Sequence, residues 1–348
     1  MNTLLLPIDH KNRRESIKKA AGIIRRGGIV AFPTETVYGL GANVLNEEAI
    51  KKIYQAKGRP SDNPLIVHIS DKKDLLTITD EIPEKSKMLM DTFWPGPLTL
   101  LFQKNHYVPD IVTGGLSTVA VRIPANDVAL ELIREAGVPV AAPSANLSGK
   151  PSPTRAAHVI EDLGGRADVI LLGEECDVGL ESTVIDMLSD PPVLLRPGGV
   201  SKEQIEKIIG PILFDRDQED NIPKAPGMKY THYSPKVPVI VFKGSVSNMV
   251  TEIRKMKEKK EKEGFKVGVL ATDETVDDYH GCVLSVGSRK KLEAVAGGLF
   301  HILRSFDKED IDIILSESFT SEGMGLAVMN RIIKAAGYHI IDAGGELS

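Results

Sequence analysis

The sequence predicts an α/β protein of two domains, a first domain with a twisted, mixed sheet and a smaller, Rossmann-like second domain. Three observations lead to this prediction. Apolar runs alternate with segments of helical periodicity along the chain. The 348 residues exceed the length of one ordinary domain. A stretch rich in proline and glycine interrupts the alternation, so we expect domains at 1–212 and 237–348, joined by a linker at 213–236.

The first domain combines five segments of helical spacing with seven apolar runs. Helices are predicted at 14–26, 46–56, 83–92, 126–136 and 154–163. Strands are predicted at 28–33, 64–70, 98–103, 118–124, 138–143, 168–173 and 182–187. Several of these runs end in a Pro or Gly turn instead of leading directly into a helix. We therefore expect a mixed sheet and not a purely parallel one.

The linker and the second domain differ sharply in composition. The linker begins with an acidic run and continues with prolines and glycine, which neither a helix nor a central strand tolerates. Beyond it, predicted strands at 237–242, 266–272, 282–287, 311–317 and 338–342 alternate with predicted helices at 246–263, 289–305 and 325–336. This alternation is typical of helices packed on a largely parallel sheet.

Composition excludes several classes of protein. The net charge of −5 gives no global reason to bind nucleic acid, although a local basic patch stays possible. Two distant cysteines and eight scattered histidines predict neither a disulfide framework nor a metal site. The Walker, GxGxxG, HExxH and GxSxG motifs are absent, as is any run of 18 apolar residues. We expect a cytoplasmic protein without a membrane anchor.

The segment after the second predicted helix holds the first candidate residues. Lys57, Arg59 and Asn63 follow that helix, and His68 lies on the next strand. Two cations and small polar groups in one loop can neutralise and orient a polyphosphate. A purely structural role is also consistent with the pattern, with Lys57 complementing the helix dipole and Gly58 ending the helix. From the spacing alone, both interpretations stay open.

Arg122 is the second candidate, because it lies on a strand otherwise made of Val, Ala and Ile. A charge there is costly unless it meets an anion. That anion is either an internal Asp or Glu or the carboxylate of a substrate, which a guanidinium binds through two hydrogen bonds.

Polar loops follow several predicted strands of the first domain. Ser144, Asn146 and Ser152 come after the strand that ends at Pro143, and Ser182 opens another strand. Loops of this kind bind ligands in α/β sheets, although helix capping explains the same residues. Arg196 precedes a Gly-Gly turn and a helix, which together make a weakly specific phosphate contact.

Seven of these segments, in this order, closely resemble the threonylcarbamoyl-AMP synthases, also called the YrdC-type family. The resemblance spans about residues 20–210 and rests on FPTETVYGLG, KGRPSDNPLIVH, WPGPLTL, VAVRIP, APSANLSG, ESTVID and LLRPGG. The linker and the domain after it look like the longer, two-domain members. The resemblance implies a nucleotidyltransferase that makes L-threonylcarbamoyl-adenylate and pyrophosphate from L-threonine, bicarbonate and ATP. This is the first step of tRNA threonylcarbamoyladenosine modification.

The resemblance also implies roles for individual residues, with Lys57 and Arg59 as the catalytic pair. ATP contacts are implied at Lys57, Arg59, Asn63, Thr118, Ser144, Asn146, Ser152 and Arg196. From their place between the linker prolines, Tyr230 and His232 are expected to contact the bound nucleotide as well. Threonine contacts are implied at Thr34 or Thr36, His68, Arg122, Ala142 and Ser182. We expect Mg²⁺ to enter with ATP, and the linker to fold over the nucleotide under the control of a second domain that does no chemistry.

Two rival functions and the partners remain open at this point. We expect the product to pass to a tRNA threonylcarbamoyltransferase complex, whereas direct binding of tRNA is not predicted either way. One rival is a module that binds double-stranded RNA or the ribosome, which the acidic net charge disfavours. The other is a carbamoyltransferase with a different acceptor. No accessory acylphosphatase or zinc-finger segment is found that would support it.

Overall fold

The computed structural model describes residues 2–214 and 233–344, which fall into two compact units. The first unit comprises residues 2–148 and 152–214, and the second comprises 149–151 and 233–344.

The first unit contains each of the five predicted helices within two residues of the expected bounds. Its α-helices are α1 (Arg13–Arg25), α2 (Glu47–Lys57), α3 (Glu84–Phe93), α4 (Asp110–Thr113), α5 (Asp127–Ala136), α6 (Ala156–Leu163) and α7 (Lys202–Ile209), with a 3₁₀ helix at Lys72–Thr77. Asn46 and Asn126 cap α2 and α5, and each helix ends at a left-handed glycine, Gly58 and Gly137.

Eleven strands form the sheet of this unit. They are β1 (Leu4–Pro7), β2 (Val30–Phe32), β3 (Gly39–Asn43), β4 (Ile66–His68), β5 (Leu98–Gln103), β6 (Thr118–Arg122), β7 (Val140–Ala141), β8 (Val169–Leu172), β9 (Thr183–Asp186), β10 (Val193–Arg196) and β11 (Leu213–Phe214). Their order is β1-β8-β2-β3-β7-β4-β6-β5-β9-β10-β11. Parallel pairs such as β4 with β6 stand beside antiparallel pairs such as β5 with β6, which confirms the predicted mixed sheet.

Periodic apolar faces pack helices onto this sheet. Ile17, Ala20, Ala21 and Ile24 lie on one face of α1, as the helical period requires, and are buried. They pack with residues of α5 and with β2 and β8 in one cluster. The helices therefore fix the sheet whose central strands carry the polar residues described below.

The second unit is a five-stranded sheet with helices, as predicted. Its strands are β12 (Val239–Gly244), β13 (Val267–Ala271), β14 (Cys282–Ser285), β15 (Ile313–Glu317) and β16 (Ile340–Gly344), and its helices are α8 (Val246–Lys262), α9 (Leu292–Phe306) and α10 (Met324–Ala335), with a 3₁₀ helix at Val276–Asp278. The order is β14-β13-β15-β12-β16, and every pair is parallel. Across both described units, no helix is long and apolar enough to cross a membrane.

Candidate active site

Lys57 is the residue around which one end of the site is built. It is the last residue of α2, and Gly58 ends the helix with φ of +61°, as the sequence predicts. The Lys57 side chain is buried, and its Nζ donates hydrogen bonds to the main-chain oxygens of Ser144 and Asn146, the second at 2.7 Å. The ammonium group thus meets the polar loop after β7 and does not simply cover its own helix end.

The loop that follows α2 is closed by Arg59 and contains an unusual buried amide. Arg59 Nη2 donates to the main-chain oxygens of Asn63 at 3.2 Å and Pro64 at 3.1 Å. Asn63 is 0% exposed, and neither its Oδ1 nor its Nδ2 has a hydrogen-bond partner among the described residues. Buried polar groups are almost always paired, so this amide is suited to a ligand.

Strands β4 and β6 separate the predicted residues into two groups. The strands are parallel, and His68 lies opposite Arg122 at their carboxyl ends. Thr118 begins β6, four residues before Arg122, which is about 13 Å along an extended strand. The predicted ATP contacts Thr118 and Asn63 therefore lie toward one end of these strands, and the predicted threonine contacts His68 and Arg122 lie at the other.

Arg122 is already paired with a carboxylate that we did not predict. Its Nη2 lies 2.5 Å from Glu35 Oε2, and the two side chains are 3% and 5% exposed. Its Nη1 donates to Thr36 Oγ1 at 2.9 Å. The structural ion pair considered for Arg122 is thus present. A signal existed, because Glu35 is the only charged residue in 27–46 and Arg122 the only one in 111–126.

The hydroxyl groups of Thr34 and Thr36 differ in how much of their hydrogen-bonding capacity is already used. Thr34 Oγ1 donates to the Val37 oxygen at 2.6 Å and accepts the N–H groups of Thr36 and Val37. It lies 2.9 Å from Thr36 Oγ1, a contact in which either hydroxyl can be the donor. Thr34 is fully used within its loop, whereas the Thr36 hydroxyl keeps one hydrogen-bonding position beside the Arg122 guanidinium.

Ser182 and Arg196 come together at the start of β9. Arg196 Nη2 donates to the main-chain oxygen and the hydroxyl of Ser182 at 2.9 and 3.1 Å, and Thr99 Oγ1 lies 2.8 Å from that hydroxyl. The turn after Arg196 requires glycine, because a Cβ on Gly198 would lie 2.3 Å from the Glu181 oxygen. The Gly-Gly turn thus serves close backbone packing against this strand.

The remaining predicted site residues lie in separate parts of the chain and have different partners. Ser152 Oγ donates to Glu181, a second buried carboxylate that the sequence did not single out. Ala142 is buried, and its N–H donates to the Ile66 oxygen at 2.9 Å, beside β4. Tyr230 and His232 lie outside the described residues. Within the described part of the chain, no group of three or more His, Cys, Asp and Glu residues is placed to hold a metal ion.

His68 is held in its neutral form. Burial, together with the positive charge of Arg122, lowers the pKa of His68 to about 3. Its Nδ1 lies 3.2 Å from the Ile66 oxygen. At neutral pH the ring is therefore an uncharged hydrogen-bonding group and adds no positive charge to this end of the site.

The neutral state of His68 predicts a pH dependence of stability. Its pKa is 6.5 unperturbed and about 3 when folded, so between these values the unfolded chain binds a proton that the folded chain does not. We expect this residue to lower the free energy of unfolding by up to about 1.4 kcal/mol per pH unit as the pH falls below 6.5. Urea unfolding followed by the fluorescence of Trp94, the single tryptophan, reports on the first unit.

The matched control for this prediction is His68→Gln, which has no titratable group. The variant is expected to show a shallower loss of stability between pH 6.5 and pH 5 than the parent chain. Equal slopes in the two proteins would show that His68 does not resist protonation in the fold.

Comparisons with known proteins extend over both units. The family model for the Sua5, YciO and YrdC proteins, described as telomere recombination, matches residues 22–198. A second model, described as threonylcarbamoyl-AMP synthase, C-terminal domain, matches residues 200–337.

Two curated relatives and one solved structure are similar over nearly the whole chain. The threonylcarbamoyl-AMP synthase of Bacillus subtilis is 53% identical over 329 residues, covering 93% of this chain and 94% of the relative. That of Pyrococcus abyssi is 49% identical over 344 residues, covering 97% and 99%. The crystal structure of P. abyssi Sua5 complexed with L-threonine has a TM-score of 0.93 and 49% identity, covering 98% of this chain and 99% of that one.

Proposed function

The chain belongs to the threonylcarbamoyl-AMP synthase family, and we propose that the site described above performs the family's reaction through the residues assigned below. The reaction joins L-threonine, bicarbonate and ATP to give L-threonylcarbamoyl-adenylate, pyrophosphate and water. It is the first step of tRNA threonylcarbamoyladenosine modification, and the chain is accordingly a nucleotidyltransferase.

The nucleotide is assigned to the end of the site at Lys57. The convergence of Lys57 on Ser144 and Asn146 is the observation that carries the assignment, because it gathers a buried cation and polar loop groups from distant parts of the sequence. Positive charge is needed where the triphosphate accumulates charge as pyrophosphate leaves. We assign ATP contacts to Lys57, Arg59, Asn63, Thr118, Ser144, Asn146 and Ser152, with Arg196, Tyr230 and His232 as further contacts.

Threonine is assigned to the carboxyl ends of β4 and β6. Arg122 binds the substrate carboxylate, and Thr36, whose hydroxyl keeps one hydrogen-bonding position beside Arg122, is preferred to Thr34 as a contact. Neutral His68 accepts or donates a hydrogen bond without opposing the guanidinium charge. Ala142 and Ser182 are the remaining contacts that we assign to threonine. Attack through an N-carboxylate requires the amine of threonine to face the phosphates of ATP.

Mg²⁺ is proposed to enter with the phosphates of ATP. Mg²⁺ commonly keeps most of its waters and binds through substrate phosphates with only one or two carboxylates. When bound, the ion neutralises charge on the triphosphate, while Lys57 and Arg59 orient the triphosphate.

The product is a mixed anhydride, which water hydrolyses readily. We propose that the enzyme works in the cytoplasm and hands its product to a tRNA threonylcarbamoyltransferase complex before it escapes.

Pyrophosphate release by the purified full-length chain tests the proposed function. Release is expected only when ATP, threonine and bicarbonate are all present. Serine lacks one methyl group, so replacing threonine with serine is expected to lower the specificity constant by about tenfold or more. Omission of each substrate in turn is the control.

The rival functions predict different outcomes of the same assay. Release that needs bicarbonate but not threonine would favour a carbamoyltransferase with another acceptor. No release from a folded protein with magnesium present, combined with a gel shift of double-stranded RNA, would favour the RNA-binding module.

A further inference from the structure

The buried pair of Arg122 and Glu35 has two polar atoms left over. Glu35 Oε1 and Arg122 Nε are both buried, and neither has a hydrogen-bond partner among residues 2–214 and 233–344. Their other polar atoms are engaged, since Oε2 meets Nη2 at 2.5 Å and Nη1 meets Thr36. The unsatisfied acceptor and the unsatisfied donor thus belong to one ion pair.

Leaving such buried polar atoms without hydrogen-bond partners destabilises the folded protein, and a charged group without a partner destabilises it more. Two of them in one pair indicate a place that a ligand completes. Oε1 requires a donor, preferably a positively charged one, and Nε requires an acceptor. A small zwitterion with neighbouring ammonium and carboxylate groups offers both.

We propose that Glu35 contacts the α-amino group of threonine through Oε1 while its Oε2 holds Arg122 for the substrate carboxylate. This inference rests on the proposed function and deepens it, because it gives the amino group a carboxylate partner. None of the other side chains assigned to threonine carries a negative charge. The Thr34 hydroxyl is used within its loop, Thr36 offers only a neutral hydroxyl, and His68 is a neutral ring.

Glu35 therefore has two roles that can be separated. As a positioning residue it orients the guanidinium, which affects every ligand that has a carboxylate. As a direct contact it selects ligands that have an amino group. A ligand that keeps the carboxylate and hydroxyl of threonine but lacks the amine distinguishes the two roles.

The test compares L-threonine with (R)-3-hydroxybutanoate, its analogue without the amino group, by calorimetry on the full chain. A site that hydrogen-bonds an N–H group rejects the analogue lacking it, so we expect the parent chain to prefer threonine by about 100-fold or more. In Glu35→Gln this preference is expected to fall by about tenfold or more, because the charged partner of the amine is gone.

Glu317→Gln is the matched control. Glu317 is a fully buried carboxylate 2.6 Å from Arg289, and both residues belong to the second unit, so the substitution breaks a comparable ion pair among residues that are not assigned to threonine. The control is expected to keep the full preference for threonine. Glu35→Asp keeps the charge opposite Arg122 but withdraws Oε1 by one methylene, so it gives the same loss of preference should Glu35→Gln fail to fold.

The outcomes separate this inference from the function on which it rests. Equal weakening of both ligands in the Glu35 variants would overturn the direct contact and leave only the positioning role. A parent chain that binds the two ligands equally would also overturn it. If the parent chain showed no threonine-dependent pyrophosphate release, the proposed function itself would fail.

Discussion

Replacing Arg122 with methionine is expected to reduce threonine-dependent pyrophosphate release by about 100-fold or more, since the charge-assisted contact with the substrate carboxylate is lost. The loss is expected in the apparent affinity for threonine more than in that for ATP, because Arg122 lies at the His68 end of β4 and β6. Steady-state kinetics with each substrate varied in turn measures the two effects separately.

A stability effect accompanies this substitution and must be separated from it. Removing Arg122 leaves Glu35 buried without its partner, which typically costs about 3–5 kcal/mol. The double variant Arg122→Met with Glu35→Gln removes both charges, so its stability is expected to recover in part while its activity does not. A double variant that regained normal turnover would show that Arg122 serves the fold alone.

Strands made of apolar side chains could be predicted from the sequence. Strands whose formation depends on close packing of the backbone could not. Seven apolar runs became strands, but β1, β3, β10 and β11 were not among the predicted runs. β3 is rich in glycine, which is depleted in strands. Here glycine is required, because a Cβ on Gly41 would lie 2.7 Å from the Phe32 ring and from a Val140 methyl. β1 was missed because it is a short edge strand with exposed leucines.

The site shows the same limit at the level of single residues. Motifs predicted the residue types at Lys57 and Arg122, since cations in those settings need anions. They did not predict which internal group meets each cation, because Glu35 and Arg122 are 87 residues apart. Likewise, only the hydrogen bonds of the loop distinguish Thr34 from Thr36. Sequence patterns therefore identified residues of the site, whereas tertiary contacts were needed to identify which residues pair with one another.

Lys57→Met is expected to reduce pyrophosphate release by about 100- to 1,000-fold, the effect of removing one group that stabilises charge developing in the transition state. The maximal rate should fall more than the affinity for threonine, since Lys57 meets the Ser144–Asn146 loop and not the Arg122 pair. Lys57→Arg is not expected to restore activity, because a planar guanidinium does not fit a buried site shaped for an ammonium group.

The chain offers a matched control in Lys257, a lysine of α8 that is 1% exposed. Its Nζ bonds Glu261 at 2.5 Å and the Val267 oxygen at 3.5 Å, all within the second unit. Lys257→Met also removes a buried ammonium group and is expected to lower stability while leaving turnover close to that of the parent chain. Similar turnover in the two variants would mean that Lys57 only supports the loop after β7. A large difference between them, with both proteins folded, would assign Lys57 to the reaction.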